Sequence, residues 1–283
     1  MNWKKRSIRS PGLLGAALKG GSCKSPWQGG IGDCLYIDLS KGFFAVADSP
    51  DRNTTASHGF MVRFAGMLET LKSVSSDRVY GEEELIDMQR MLMDKSGEIL
   101  EAVPFWDSST FTGILVARRE RGAKGIIFHT GDSLLLECDL TAGKVGQHTR
   151  NNFWMVGRSK SFFQVDSIEI GVGTRFLLAT DGISGINIPA ADKESFYLDL
   201  FKEYRVEMIP DVLMERCDEN DAARDDIAVL SLEPNLLTHS MARLIIGGTS
   251  SREEESMRRD VAEDSVSGTY APYTSFNLNG LGS

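Results

Sequence analysis

The sequence is short of three things, and each absence removes a class of function. No run approaches the roughly 18 to 20 consecutive apolar residues of a membrane-spanning helix. The start, MNWKKRSIRSPGLLGAALKGG, has basic residues, but its apolar run is too short for the hydrophobic region of a signal peptide. Cysteine is scarce and scattered: Cys23, Cys34, Cys138 and Cys217 show none of the close Cys or Cys/His spacings of a zinc site, so we read them as reduced and structural. Positive charge is also in short supply. With 31 Lys and Arg against 40 Asp and Glu, the formal charge of -9 argues against a nucleic-acid backbone as partner, because phosphate contacts need clustered cations. These absences point to a cytoplasmic protein without nucleic-acid or membrane partners; oligomeric state is not written in them.

What is present is enough apolar material, 41% of 283 residues, for a sizeable core. Residues 33–39 and 43–48, DCLYIDL and FFAVAD, read as a hairpin across the turn at 40–42, and counting outward from Ser40 and Lys41 sets Asp33 opposite Asp48. A helix follows, capped by Thr54 or Thr55, with Phe60, Phe64, Met67, Leu68 and Leu71 on one stripe. A second helical pattern, from EEELIDM onward, turns Leu85, Met88 and Leu92 inward. Strands return at 110–120, at 125–139 as a hairpin turning on Gly131 and Asp132, and at 174–182. Helical patterns at 191–205 and 210–218 precede a last strand from Asp225. Strands, two helices, strands, two helices and a strand suit an α+β layered domain with antiparallel sheets better than a parallel one.

Apolar strands in this chain keep ending on acids: FFAVAD, HTGDS and FLLATDG, with DDIAVLSL as the inverse. One such Asp is an ordinary turn residue. As a set, Asp33, Asp48, Asp181 and Asp225 are expected to converge within metal-bridging distance, with Asp226 a cap or neighbour. Carboxylates about 4 Å apart repel by roughly 4 kcal/mol at an effective dielectric near 20, so a cluster calls for a cation. Oxygen ligands without His or Cys select Mg²⁺ or Mn²⁺. The four histidines are scattered and pair with no Ser or Cys nucleophile. The glycine-rich stretch GAALKGGSCKS at 15–25 has Gly21 where a phosphate loop needs lysine, and no strand is expected before it.

In this order and at these separations, FFAVADS, HTGDSLLL, FLLATDGISGI and RDDIAVLSL resemble the protein phosphatase 2C family of metal-dependent serine/threonine phosphatases. The resemblance covers about residues 22–233, leaving 1–21 as an N-terminal arm and 234–283 as an extension with a helix and then a flexible tail, in which ARLIIGG could still add an edge strand. It implies an α-β-β-α sandwich, two antiparallel sheets flanked by helix pairs, with two Mn²⁺ or Mg²⁺ ions at one end and a weaker third. By that resemblance Asp48 bridges both ions, the Ser49 carbonyl takes one, Asp181 and Asp225 hold the other, Asp33 matches an acid of the first strand, and Asp132 matches the ligand of the third. The implied activity is hydrolysis of a phosphorylated protein substrate by water activated between two metals. Three departures stand out: Gly32 where the family has Glu, Ser49-Pro50 in place of Gly-His, and no Arg between Arg9 and Arg52 to bind phosphate. Arg52 is the expected substitute, ahead of Lys24, for its fork geometry. The departures leave open a weak or inactive regulatory module, and a hydrolase of small phosphate esters or nucleotides.

Overall fold

In the computed structural model, residues 6–21, 31–50, 56–105, 107–186, 188–219, 224–249 and 275–277 are described. In chain order the strands are β1 (Arg6–Ser10), β2 (Leu14–Lys19), β3 (Ile31–Asp38), β4 (Phe43–Ala47), β5 (Phe111–Arg118), β6 (Ala123–Thr130), β7 (Leu134–Asp139), β8 (Lys144–Gln147), β9 (Gln164–Ile170), β10 (Thr174–Ala179), β11 (Ile227–Leu232), β12 (Arg243–Thr249) and β13 (Ser275–Asn277). The helices are α1 (Ser57–Thr70), α2 (Glu82–Glu101), α3 (Lys193–Glu203) and α4 (Ile209–Glu219). One sheet runs β13-β1-β2-β11-β10-β7-β8 and the other β12-β3-β4-β5-β6-β9. All pairings are antiparallel except β1 with β13, which is parallel.

Period-two alternation explains why two sheets stack and why each carries helices on its outer face. On β3, Leu35 and Ile37 enter the core between the sheets, whereas Cys34 and Tyr36 join Phe60, Phe64, Leu85 and Leu92 beneath α1 and α2. On β10, Phe176 and Leu178 face the other sheet, whereas Leu177 and Ala179 pack under α3 and α4 with Phe201, Leu213 and Met214. Three apolar layers result, and the architecture is the expected α-β-β-α sandwich. A knot of aromatic rings, Phe43, Phe64, Phe111 and Phe128, anchors α1 to its sheet, with Phe64 5.0 Å from Phe43 and 5.1 Å from Phe111.

Helix starts differ from expectation at one place. Helix α1 begins at Ser57 with Ala56 at the N-cap and no side-chain cap bond; Thr54 and Thr55 lie outside the described residues. Helix α2 opens on Glu82, Glu83 and Glu84, which suits the positive helix end, and Glu84 accepts from the Gly81 N–H at 2.9 Å.

Three expectations about organisation are corrected. Residues 6–19, read as part of an arm, form the β1–β2 hairpin, and β2 lies inside its sheet between β1 and β11. Its small residues Gly15, Ala16 and Ala17 made a weak strand signal. The segment after 234 is not outside the domain: β12 pairs with β3, and Leu237, Ala242 and Ile246 sit in the core between the sheets. The helix and tail expected beyond it fall largely outside the described residues. Finally, β6 and β7 are not a hairpin. Strand β6 is paired on both sides, by β5 and β9, so no edge is free for β7, and the chain crosses at Gly131 to the other sheet.

The described cysteines, Cys34, Cys138 and Cys217, are free and buried, and burial pushes the Cys138 and Cys217 thiols up to about 11. Such thiols are inert packing groups. No described helix is long and apolar enough to cross a membrane.

Candidate metal centre at the mouth of the sandwich

The β3–β4 register pairs Cys34 with Ala47, so its continuation by one step sets Asp33 opposite Asp48, as counted from the turn. Both acids share parity with the residues that face the other sheet. From that sheet, Thr180 at the end of β10 donates its hydroxyl to Asp33 Oδ2 at 2.5 Å and accepts from the Ala228 N–H at 2.9 Å. Asp226, just before β11, accepts from the Gly32 N–H at 2.6 Å and from the Gly21 N–H at 2.7 Å. These bonds clamp the two sheets together at this end, and Asp226 acts as the clamp.

Asp181 and Asp225 reach the same end because β10 and β11 pair antiparallel, Ala179 opposite Val229. The next residue after Asp181 has to be small. A Cβ on Gly182 would strike the Asp226 carbonyl, so glycine permits the approach of the two strand ends. Asp225 Oδ1 in turn accepts from the Asp226 N–H at 2.7 Å.

Asp132 arrives from the crossing between the sheets. Gly131 takes φ +101°, and a Cβ there would lie 2.6 Å from the Thr110 side chain, so the crossing depends on glycine. Thr110 is the hub below it. Its hydroxyl accepts from the Asp48 N–H at 2.9 Å and meets Ser133 Oγ at 2.8 Å, while its own N–H and the Ser109 hydroxyl both donate to the Asp48 carbonyl at 2.8 Å. The Asp48 backbone is thus held at both its N–H and its carbonyl, and Ser49 beside it is buried.

The acids feel one another across these elements. Burial, then the charges of Asp48 and Asp225, hold the Asp132 carboxyl above the usual aspartate range. The donor set, carboxylates with the Ser49 carbonyl, is all oxygen and suits a hard divalent ion rather than zinc. Among the described residues no ready-made group of three or more His, Cys, Asp or Glu side chains that could hold an ion is found.

Arg52 and Lys24, the expected phosphate cations, lie outside the described residues. His129 is where a structural histidine belongs, fully buried, with Nδ1 2.8 Å from Thr112 Oγ1 and Nε2 3.0 Å from the Arg150 carbonyl. Sequence reasoning missed Ser109, Thr110 and Thr180, the hydroxyls that carry the acids; only their position at strand ends marked them. It also missed Asn152, which accepts from the Gly131 N–H at 3.0 Å and returns its own N–H to the Gly131 carbonyl at 3.0 Å.

No family model matches the chain, and no curated protein sequence does. Solved structures do match. The PPM Ser-Thr phosphatase MsPP from Mycobacterium smegmatis, in complex with cacodylate, is 17% identical with a TM-score of 0.54 over 80% of this chain and 99% of that one. PppA of Pseudomonas aeruginosa is 14% identical at TM-score 0.54, again over 80% and 99%. The catalytic domain of the serine threonine protein phosphatase PstP, in complex with two manganese ions, is 18% identical at TM-score 0.54 over 81% and 99%. At these identities the likeness is one of fold: this chain has the fold of the protein phosphatase 2C type serine/threonine phosphatases.

Proposed function

We propose that the chain is a metal-dependent phosphoprotein phosphatase that hydrolyses phosphoserine or phosphothreonine monoesters at the mouth of the sandwich. The observation that supports it most is the gathering of Asp48, Asp132, Asp181 and Asp225 from four separate elements at one end of a phosphatase fold. In this reading Asp48, the Ser49 carbonyl, Asp181 and Asp225 hold two Mn²⁺ or Mg²⁺ ions, and Asp132 a weaker third. Manganese in PstP and magnesium in RsbX, which has the same fold, support the choice of ion. Bound there, the ions supply Lewis acidity, lowering the pKa of water and offsetting charge on the phosphoryl oxygens.

The protein's part is positioning. Ser109 and Thr110 fix the Asp48 backbone, Thr180 holds Asp33, and Asp226 locks the two sheets so that the carboxylates keep their separation during turnover. No protein nucleophile is needed, because water attacks phosphorus in line. Arg52, just after the bridging acid and before α1, binds the phosphate oxygens in place of the absent upstream arginine.

Hydrolysis of p-nitrophenyl phosphate tests the reading. Activity should depend on added Mn²⁺, vanish with EDTA and be lost in Asp181→Ala; a phosphopeptide and nucleotide panel then separates a protein phosphatase from a hydrolase of small esters. Activity untouched by EDTA or by Asp181→Ala contradicts it. A second reading, a phosphatase-like binding module without turnover, draws support from Gly32 and from the lack of a ready-made three-acid group among the described residues, and predicts no hydrolysis at any metal concentration.

A further inference from the structure

One edge of the sandwich is closed by a very short strand. Strand β13, Ser275–Asn277, is three residues long and lies at the end of its sheet, parallel to β1. The pairs are Ser7 with Ser275, Ile8 with Phe276 and Arg9 with Asn277, so three of the five residues of β1 are matched on that side. On the inner side β2 matches all five.

Beneath this partial cover β1 is firmly built. Ile8 is 1% exposed, in the core between the sheets. Ser7 Oγ donates to Asp211 Oδ1 on α4, and the Arg9 guanidinium donates to Asp211 Oδ2 at 2.6 and 3.0 Å. A strand pinned in this way, with its outer ladder only partly matched, is a template for strand addition, because its N–H and C=O groups are already aligned for a newcomer.

The resident strand holds on weakly. Its few hydrogen bonds have a small net worth once those to water are counted, and closing residues 250–274 into a loop takes back part of it. Residues 268–283 carry no charged side chain, so the tail brings no ion pair to the edge. The edge itself is basic. Residues 1–10 include Lys4, Lys5, Arg6 and Arg9 and no acid, in a chain whose formal charge is -9, and Lys4, Lys5 and Arg6 are consecutive where the chain enters β1. An incoming strand that matches the whole of β1 and carries Asp or Glu gains ladder and charge that the resident lacks. The tail of a second copy is a poorer competitor. It brings only the same three pairs, without the tether that presents the resident at an effective concentration on the order of millimolar.

We propose that the outer edge of β1 is a docking site for a partner protein, which adds an extended, acidic segment as a new edge strand and displaces Ser275–Asn277. The resident strand is then a placeholder that protects the edge until the partner arrives. This inference goes beyond the phosphatase reading and does not rest on it.

The probes are three fluorescein-labelled nonapeptides: one of alternating Glu and Val, one with Lys in place of Glu, and the Glu–Val peptide N-methylated at three consecutive central residues, which blocks both of its edges. Affinity for the full chain is measured by polarisation. The Glu–Val peptide should bind at least about tenfold tighter than the Lys–Val peptide, and N-methylation should abolish its binding. Ser275→Pro with Phe276→Pro removes whichever N–H of the resident faces β1, and should tighten Glu–Val binding at least about threefold because the competitor is gone. Lys4→Glu with Lys5→Glu should shrink the preference for the acidic peptide. An N-methylated peptide that binds as tightly as its parent would reduce the effect to charge attraction and overturn the proposal. So would an affinity that the two prolines leave unmoved, since β13 would then be a permanent cover. Dimerisation in sedimentation that the two prolines abolish, with no peptide bound, overturns it in favour of a second copy. No readout involves hydrolysis, so failure of the phosphatase reading would leave the docking edge standing.

Discussion

The β3–β4 hairpin has an aspartate at each of its ends, and the two ends have opposite characters. At the turn, Asp38 is saturated: Tyr36 Oη donates at 2.8 Å, Ser40 Oγ at 2.6 Å, and the Ser40 and Lys41 N–H groups at 3.0 Å each. Cations nearby are engaged as well, with Lys41 donating to the Leu71 and Val74 carbonyls at 2.9 Å and Arg243 paired with Glu69 at 3.2 Å. A cavity of about 360 Å³ opens among these groups, but its charges balance one another. At the open end, by contrast, Asp33 and Asp48 stand opposite across two strands, and Asp132 is pushed up by burial and by the acids around it. An acid that satisfies its own turn is architecture. Acids set to face one another cost stability, and that cost marks a site where charge is wanted.

The contrast predicts a double dissociation. Asp48→Asn should lower kcat/KM for p-nitrophenyl phosphate at least about a hundredfold while leaving the melting temperature unchanged or raised, because it relieves repulsion. Asp38→Ala should do the reverse, costing about 2 to 4 kcal/mol in urea unfolding by stranding buried donors, with kcat per folded molecule at the wild-type value. If the two variants behaved alike, the distinction between the ends would collapse.

Gly131→Ala sharpens the comparison, since it strikes the support and not an acid. Its left-handed φ and the contact with Thr110 should cost about 1 to 3 kcal/mol, and the displaced Thr110 should bring an activity loss of about tenfold through Asp48. Full activity in a destabilised variant would show that Thr110 does not position Asp48.

The smallest effect concerns pH. Burial holds the His129 imidazole below its ordinary value of 6.5, so the native state resists a proton that the unfolded chain accepts. The unfolded state then binds more protons, and the unfolding free energy should fall as pH drops through about 6.5, with the slope reduced in His129→Gln. A stability curve of equal slope in wild type and variant would show that His129 does not set it.

Legibility in the sequence followed physical range. The pairing of Asp33 with Asp48 was readable because a short turn fixes hairpin register, and the amphipathic stripes of α1 and α2 were readable because 3.6-residue periodicity is local. The crossing at Gly131 was not, because whether β7 pairs with β6 depends on β9, a strand with a weak exposed pattern that takes the edge first. Strand β2 was hidden by its own small residues, whose burial is set by neighbours distant in sequence. The acids could be listed from strand-end motifs, but not their separations, which depend on side-chain electrostatics among four elements.

Isothermal titration of the full chain with Mn²⁺, repeated on Asp48→Asn, tests the central claim most directly. The account predicts two tight sites per chain in the wild type and loss of binding in the variant, since Asp48 is the acid proposed to serve both ions. No measurable binding, or binding that Asp48→Asn leaves unchanged, would contradict it.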